Sequence, residues 1–471
     1  MTARNDDSAT LVGAHIPAVD RAAYPVRGGN LVRPLVDGEP AFRRICEAVE
    51  AANHRVWLTV AFLGEDFRMP DGRGSLFDVL DRAARRGLDV RVIFWRVNPE
   101  TEAVEAETFP GRPAQLKALG ARNSGFKARW DRGHKGYCQH QKTWIVDAGE
   151  TSEVAFVGGI NLVSGSVVRP GHALAAGQST TQDHDVYVEV VGPSATDVAH
   201  NFVQRWNQAS DRAVDGGAWG EGADDDLPFP ERLSEARGDS RVQIQRTVRA
   251  GHYADGRPTP GGAPFDIAGG DLSIFAQYQT AIAAARRSIY IENQSFVTPE
   301  ILAPLREALV RGVAVTALVP ADAYDEVRHA RRRPEKKGLF DLLASLGDFE
   351  GFRLAGVAAT DPEGVRHNVY IHAKVMLVDD VWATIGSCNI APRSFFGDTE
   401  MNASIWDHAV VKALRVSLFA EHLSIDTAAM DDLEAIASYR RIALANRARR
   451  DAGDPVWEGS AFALDPATYG A

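Results

Sequence analysis

Three cysteines, Cys46, Cys138 and Cys388, are all this 471-residue chain holds. Their odd number and wide scatter exclude a small disulfide scaffold and point to reduced thiols in a reducing compartment. No run of 18 apolar residues occurs, so no transmembrane helix is expected. The start, MTARNDDSATLVGAHIPAVD, has early acids and no apolar segment and does not read as a signal peptide. A cytoplasmic protein, at most peripheral at a membrane, is the resulting expectation. Lysine is scarce: 8 of the 52 basic residues, leaving 52 − 8 = 44 arginines, so a lysine at a special position stands out. Positive charge is outweighed, with a net charge of −11. Nucleic acid binding rests largely on neutralising phosphates, so no nucleic acid partner is expected.

What remains is an ordinary globular composition, 45% hydrophobic and 24% charged. Helical and strand patterns alternate: Phe42–Asn53, then the apolar run Arg55–Leu63, Leu76–Arg86, a stop at Gly87 and a strand at Asp89–Trp95. The order recurs as Ile274–Arg286, Ser288–Phe296, Pro299–Arg311, a break at Gly312, and Val313–Pro320. This reads as an internal duplication of α/β type. Residues 1–27 read as an N-terminal leader, 28–210 as the first lobe and 211–270 as a linker or excursion. Residues 271–425 then form the second lobe and 426–471 a C-terminal helix and tail. In the linker, Val242–Val248 alternates like a strand. In the tail, Asp431–Arg450 reads as a packed helix with Leu433, Ile436 and Tyr439 on one side.

The decisive signal is a pair of motifs. His140-Gln-Lys142 is followed by Asp147, and His372-Ala-Lys374 by Asp379, both H-x-K-x4-D and 232 residues apart. One chance match has an expectation of about 0.02. In a strand, positions i and i+2 share a face, so each His projects with its Lys while the Asp points elsewhere. An imidazole beside an ammonium suits a phosphate, and two such pairs from two repeats suit in-line displacement at phosphorus. Downstream, Gly158-Gly159-Ile-Asn161 and Gly386-Ser387-Cys-Asn389 offer small residues for close backbone approach and side chains that can donate to phosphate oxygens. Gly159, Asn161, Ser387 and Asn389 are therefore candidate phosphate ligands. Asp185 and Glu400 are candidates to orient the two imidazoles. Glu292-Asn293-Gln294 is a further candidate lining. His134, Cys138 and His140 have metal-ligand spacing without a clear fourth ligand, and no metal is expected. The basic run at 328–338 reads as a solvated loop, with contact to anionic lipid head groups as the functional alternative.

The chain resembles the phospholipase D superfamily, whose hallmark is the duplicated H-x-K-x4-D motif. The resemblance covers most of the chain. HQKTWIVD, HDVYVEVVGPSATDVAHNFVQRWN, SIYIENQSF and HAKVMLVD…IGSCNIAPRSFFGDTEMN are similar to phospholipase D proper. It implies two pseudo-two-fold lobes, each a mostly parallel sheet flanked by helices, and a cleft site. It makes the two HKD sets, His140, Lys142, Asp147 and His372, Lys374, Asp379, the candidate catalytic residues, with His140 as nucleophile and His372 as acid and base. The two motif aspartates would be structural. It implies hydrolysis of phospholipid head groups through a phosphohistidine, with water or an alcohol as acceptor, transient contact with a membrane surface and no cofactor; the oligomeric state stays open, with a monomer as the expectation. Arg169-Pro170 and the stretch to Thr181 depart from the family pattern and bear on head-group preference. Within the superfamily, a cardiolipin synthase-like phosphatidyltransferase, a nuclease or a non-catalytic lipid-binding member are the alternatives.

Overall fold

In the computed structural model, the described residues are 15–96, 118, 121–122, 124–174, 181–209 and 225–471. The first repeat runs β1 (Arg27–Val36), helix Gly38–Ala51, β2 (Arg55–Val60), helix Leu76–Arg85, β3 (Asp89–Trp95), β4 (Lys127–Asp131), β5 (Thr143–Val146), β6 (Val154–Gly158), β7 (Asp183–His184), β8 (Val186–Val191) and helix Pro193–Gln208. The second runs β9 (Ser240–Val248), β10 (Asp271–Leu272), helix Ser273–Ala284, β11 (Ser288–Asn293), helix Pro299–Val310 and β12 (Ala314–Leu318). It continues through helices Asp325–Arg331 and Lys337–Leu346 to β13 (Phe352–Thr360), β14 (Arg366–Asn368), β15 (Tyr370–Ile371), β16 (Lys374–Val378), β17 (Trp382–Gly386) and β18 (Glu400–Trp406). Helices His408–Leu423 and Asp432–Asp451 and strand β19 (Ala461–Ala463) close the chain.

Local chemistry sets these boundaries. Ser75 and Asp78 exchange a capping box at the start of helix Leu76–Arg85. Gly87, at φ 85°, ends the turn after it in a conformation that other residues rarely adopt. Pro299 opens its helix at the first turn, where no backbone N–H is missed. Asp431 and Glu434 form a second capping box.

The strand order is β4-β3-β2-β5-β6-β8-β1 in the first sheet and β13-β12-β11-β16-β17-β18-β9 in the second. The two orders correspond strand for strand. The expected parallel pairing holds for β2-β3-β4 and β11-β12-β13. The rest of each sheet is antiparallel, so the sheets are mixed rather than mostly parallel. The reason is connection length: β5–β6 and β16–β17 are joined by short turns, which can only return antiparallel.

Two apolar cores lie between a sheet and its outer helices. One is built on helices Gly38–Ala51 and Leu76–Arg85, the other on Ser273–Ala284, Pro299–Val310 and Lys337–Leu346. A third joins the sheets, where Val157, Val188 and Val190 pack with Ile385, Met401 and Ala403 beneath helices Pro193–Gln208 and His408–Leu423. β9, inside the stretch read as a linker, pairs with β18 along its length and with the start of β1, and so couples the two sheets. Within the stretch read as a leader, Ile16 is buried in the second repeat's core and His15 Nε2 lies 2.8 Å from Asp379. In the terminal helix Ile436 and Tyr439 are buried as expected, but Leu433 is exposed. Among the described residues no helix is long and apolar enough to cross a membrane.

Candidate active site

The two motif histidines do not lie in the strands that follow them. β5 begins at Thr143 and β16 at Lys374, so His140 and His372 sit in the lead-ins. The strand pattern misplaced them because each lead-in pairs with the opposite repeat, not with its own sheet. Gln139 bridges Thr399 in parallel, and the His140 N–H donates to the Thr399 carbonyl at 2.8 Å. Likewise β15 pairs in parallel with β7, and the His372 N–H donates to the His184 carbonyl at 2.8 Å.

These pairings bring each histidine beside the other repeat's carboxylate. His140 Nδ1 donates to Glu400 at 2.9 and 3.0 Å, with the Ser387 carbonyl at 3.1 Å. His372 Nδ1 donates to Asp185 Oδ2 at 2.5 Å. With Nδ1 engaged, Nε2 is the atom each ring presents to its surroundings. Both rings are buried, at 6% exposure. Burial, then Lys142 and Lys374, hold the His140 pKa well below the usual imidazole range. Burial and Lys374 push His372 down to about 4 against the pull of Asp185. Burial also raises Glu400 to about 7 and lowers Lys374 to about 7.

The lysines are tethered to their own motifs. Lys142 Nζ donates to the His140 carbonyl at 2.9 Å. Lys374 Nζ donates to the His372 carbonyl and, at 3.4 Å, to Gln294 Oε1. Asn161 Nδ2 lies 3.4 Å from His372 Nε2. The Oδ1 atoms of Asn161 and Asn389 are both buried without a hydrogen-bond partner. An unsatisfied amide oxygen at the same place in both repeats fits a polar ligand held between them.

Other candidates fall elsewhere. The Gly159 N–H is taken by the Val186 carbonyl, and a Cβ there would lie 2.5 Å from Asp185 Oδ1 and 3.0 Å from the Lys374 stem. Its smallness admits Asp185 and Lys374; it does not offer a free backbone donor to phosphate. Ser387 is likewise turned inward: its hydroxyl donates to Glu400 at 2.5 Å and its N–H to the Met401 carbonyl. Asp147 and Asp379 sit in left-handed turns, φ 53° and 56°. The Asp147 carboxylate accepts the N–H groups of Asn53, His54 and Arg55 and the Ser152 hydroxyl. That of Asp379 accepts those of Arg286, Arg287 and Ser288. Both therefore tie a motif strand to the start of its neighbour, away from the histidines. Asn293 Oδ1 accepts from the N–H groups of Ser295 and Ile390, while Glu292 engages His184. His134, Cys138 and His140 do not converge. Cys138 is buried against Trp95, and all three cysteines are free.

Phe62 was not singled out by sequence. It meets His140 edge-on at 5.9 Å and lies 5.7 Å from Lys142 Nζ. Its place just past the carboxyl end of a parallel strand, where such sheets bind ligands, was the available signal. Tyr370 stacks on His372, with ring centroids 6.3 Å apart. Of the segment Arg169–Thr181, residues 175–180 lie outside the described residues.

The chain is similar to several known proteins. A family model described as cardiolipin synthase, PLD-like domain, matches residues 278–420. Cardiolipin synthase A of Pseudomonas entomophila is 28% identical over 415 residues, covering 87% of this chain and 71% of that protein. Phospholipase D alpha 4 of Arabidopsis thaliana is 24% identical over 542 residues, covering 90% and 69%. Among solved structures, the phosphatidylserine synthase of Haemophilus influenzae Rd KW20 superposes with a TM-score of 0.51 at 14% identity, covering 83% of this chain and 84% of that one, a likeness of fold. With two H-x-K-x4-D motifs meeting at one buried centre, the chain is similar to members of the phospholipase D superfamily.

Proposed function

We propose that this chain cleaves a phospholipid phosphodiester by two in-line displacements through a phosphohistidine. The observation that carries the reading is the crossed pairing of His140 with Glu400 and of His372 with Asp185. His140 is neutral and its Nδ1–H is held by Glu400, which leaves the Nε2 lone pair to attack phosphorus. His372 Nε2–H protonates the departing head-group alcohol. The phosphate brings negative charge between Lys142 and Lys374, which favours the protonated form of His372 while substrate is bound. In the second step His372 takes a proton from water or an alcohol, which displaces His140 and releases phosphatidic acid or an exchanged phospholipid. Asn161 and Asn389 bind the phosphate oxygens with the two lysines. Asp185 and Glu400 orient the rings, and the phosphorus chemistry asks for no metal.

A second reading has support of its own. The match to a cardiolipin synthase domain model and the 28% identity to a cardiolipin synthase favour a phosphatidyl acceptor that is itself a lipid alcohol. The chemistry is the same; only the second-step nucleophile differs.

The test is a product assay on phosphatidylcholine vesicles with added ethanol, beside phosphatidylglycerol vesicles and single-stranded DNA. Phosphatidic acid with phosphatidylethanol is the expected outcome. Cardiolipin from phosphatidylglycerol, with choline lipid untouched, would favour the synthase reading. DNA cleavage with both lipids intact would overturn the proposal.

A further inference from the structure

Behind Asp185, on the side away from His372, lies a second buried cluster that the proposed chemistry does not use. Asp37 precedes helix Gly38–Ala51, His172 sits in a turn, His184 is in β7, and Glu421 is on helix His408–Leu423. One donor atom from each lies within 4.8 Å of all the others. The separations resolve further. His184 Nδ1 is 2.9 Å from Asp37 Oδ1, 3.3 Å from Glu421 Oε1 and 3.4 Å from His172 Nε2. His172 Nε2 is 3.1 Å from Glu421 Oε1 and 3.5 Å from Asp37 Oδ2. For bonds of about 2.0 Å to nitrogen and oxygen, the edge of a tetrahedron is about 3.3 Å.

The outer nitrogens are fixed as metal-ligand imidazoles require. His184 Nε2 donates to Glu292 Oε2 at 3.0 Å, and His172 Nδ1 donates to Gln182 Oε1 at 3.2 Å. A neutral ring so held turns a lone pair inward, in the carboxylate–histidine–metal pattern, while a protonated His184 donates from Nδ1 to Asp37 Oδ1 at 2.9 Å. No hydrogen of suitable geometry reaches Asp37 Oδ2 or either Glu421 oxygen, although the two side chains are 0% and 4% exposed. The two carboxylates facing these imidazoles need positive charge, which imidazolium protons or one divalent cation can supply. The backbone is bent to make this meeting. Asp37 holds φ 64°, ψ 159°, a region almost confined to glycine, and its carboxylate does not cap the helix it precedes. His172 holds φ 53°. A surface cleft of about 650 Å³, lined in part by Gly171, Ala173, Ser417 and Glu421, gives a route in.

We propose that Asp37, His172, His184 and Glu421 form a tetrahedral N2O2 site for a zinc-type divalent cation, separate from the catalytic histidines. Two imidazoles and four-coordinate spacing suit zinc and not calcium or magnesium, which take six or more oxygen ligands. Two carboxylates balance the charge of the ion. Three ligands come from the first repeat and one from the second, so the ion cross-links them at the residue next to Asp185.

The test reads metal directly and does not depend on turnover, so it stands apart from the lipid assay. The full chain, stripped with chelator, is titrated with Co²⁺ and then Zn²⁺. Expected are the visible bands of tetrahedral Co²⁺ saturating at one equivalent, their loss on Zn²⁺ addition, and a rise in melting temperature with Zn²⁺. Glu421→Gln and His172→Ala should each weaken binding about tenfold or more, while His54→Ala, an exposed histidine elsewhere, should not. Absence of the bands in the wild-type chain overturns the proposal, as do bands of equal affinity in both ligand variants. If either variant does not fold, the wild-type titration alone decides.

Discussion

At the scale of single residues, the crossed pairs fix which nitrogen reacts. Glu400 occupies Nδ1 of His140, so the proposed chemistry puts the adduct at Nε2. In His372→Asn the second step loses its base, and an Nε2-phosphohistidine should accumulate on a substrate with a good leaving group. Phosphorus NMR and peptide mass mapping should find it on His140. His140→Ala should form none and lose turnover by about a thousandfold or more with an unchanged melting temperature. An adduct on another residue would reassign the nucleophile.

The same residues set a pH profile. Burial raises Glu400 to about 7, so as pH falls below that value it takes a proton and stops holding the His140 N–H as an anion. Burial lowers Lys374 to about 7, so as pH rises past that value its charge is lost to the phosphate. The free enzyme's kcat/KM should therefore follow a narrow bell centred near neutrality. Glu400→Gln should lower kcat by about a hundredfold and flatten the acid limb while leaving the basic limb in place.

At the scale of elements, the motif aspartates are splices between strands. Burial works against the Asp147 charge, yet its hydrogen bonds hold the pKa low. Asp147→Ala removes acceptors for three backbone N–H groups and strains a left-handed turn. It should cost about 2–4 kcal/mol by denaturant titration, with activity per folded molecule near wild type. Asp147→Asn, which tolerates the same backbone, should cost less. Elements were also what the sequence revealed best. Asp89–Trp95 matches its predicted span, and the helix stop at Gly87 follows from its positive φ. Site residues were legible as types and less so as directions. Gly159 and Ser387 carry the small and polar signals of a phosphate ligand, but residue type does not say which neighbour takes the N–H or hydroxyl. The lead-in pairings and the Asp37–His172–His184–Glu421 cluster join segments more than a hundred positions apart, which no local periodicity encodes.

At the scale of the whole molecule, neither repeat holds the carboxylate partner of its own motif histidine, and the sheets share an apolar interface and the strand β9. Residues 1–209 and 225–471 expressed separately should each release no head group. Co-expressed, they should assemble through that interface and regain turnover. Activity in either fragment alone would mean that a histidine can work without its crossed partner.

The crossing also has a consequence in time. A ribosome releases His140 some 260 positions before Glu400, so the first imidazole leaves the exit tunnel without the carboxylate that gives it direction. Until translation is almost finished, the nascent chain cannot hold the crossed pair that the proposed chemistry needs. A product truncated before residue 400 would lack the carboxylate of that pair.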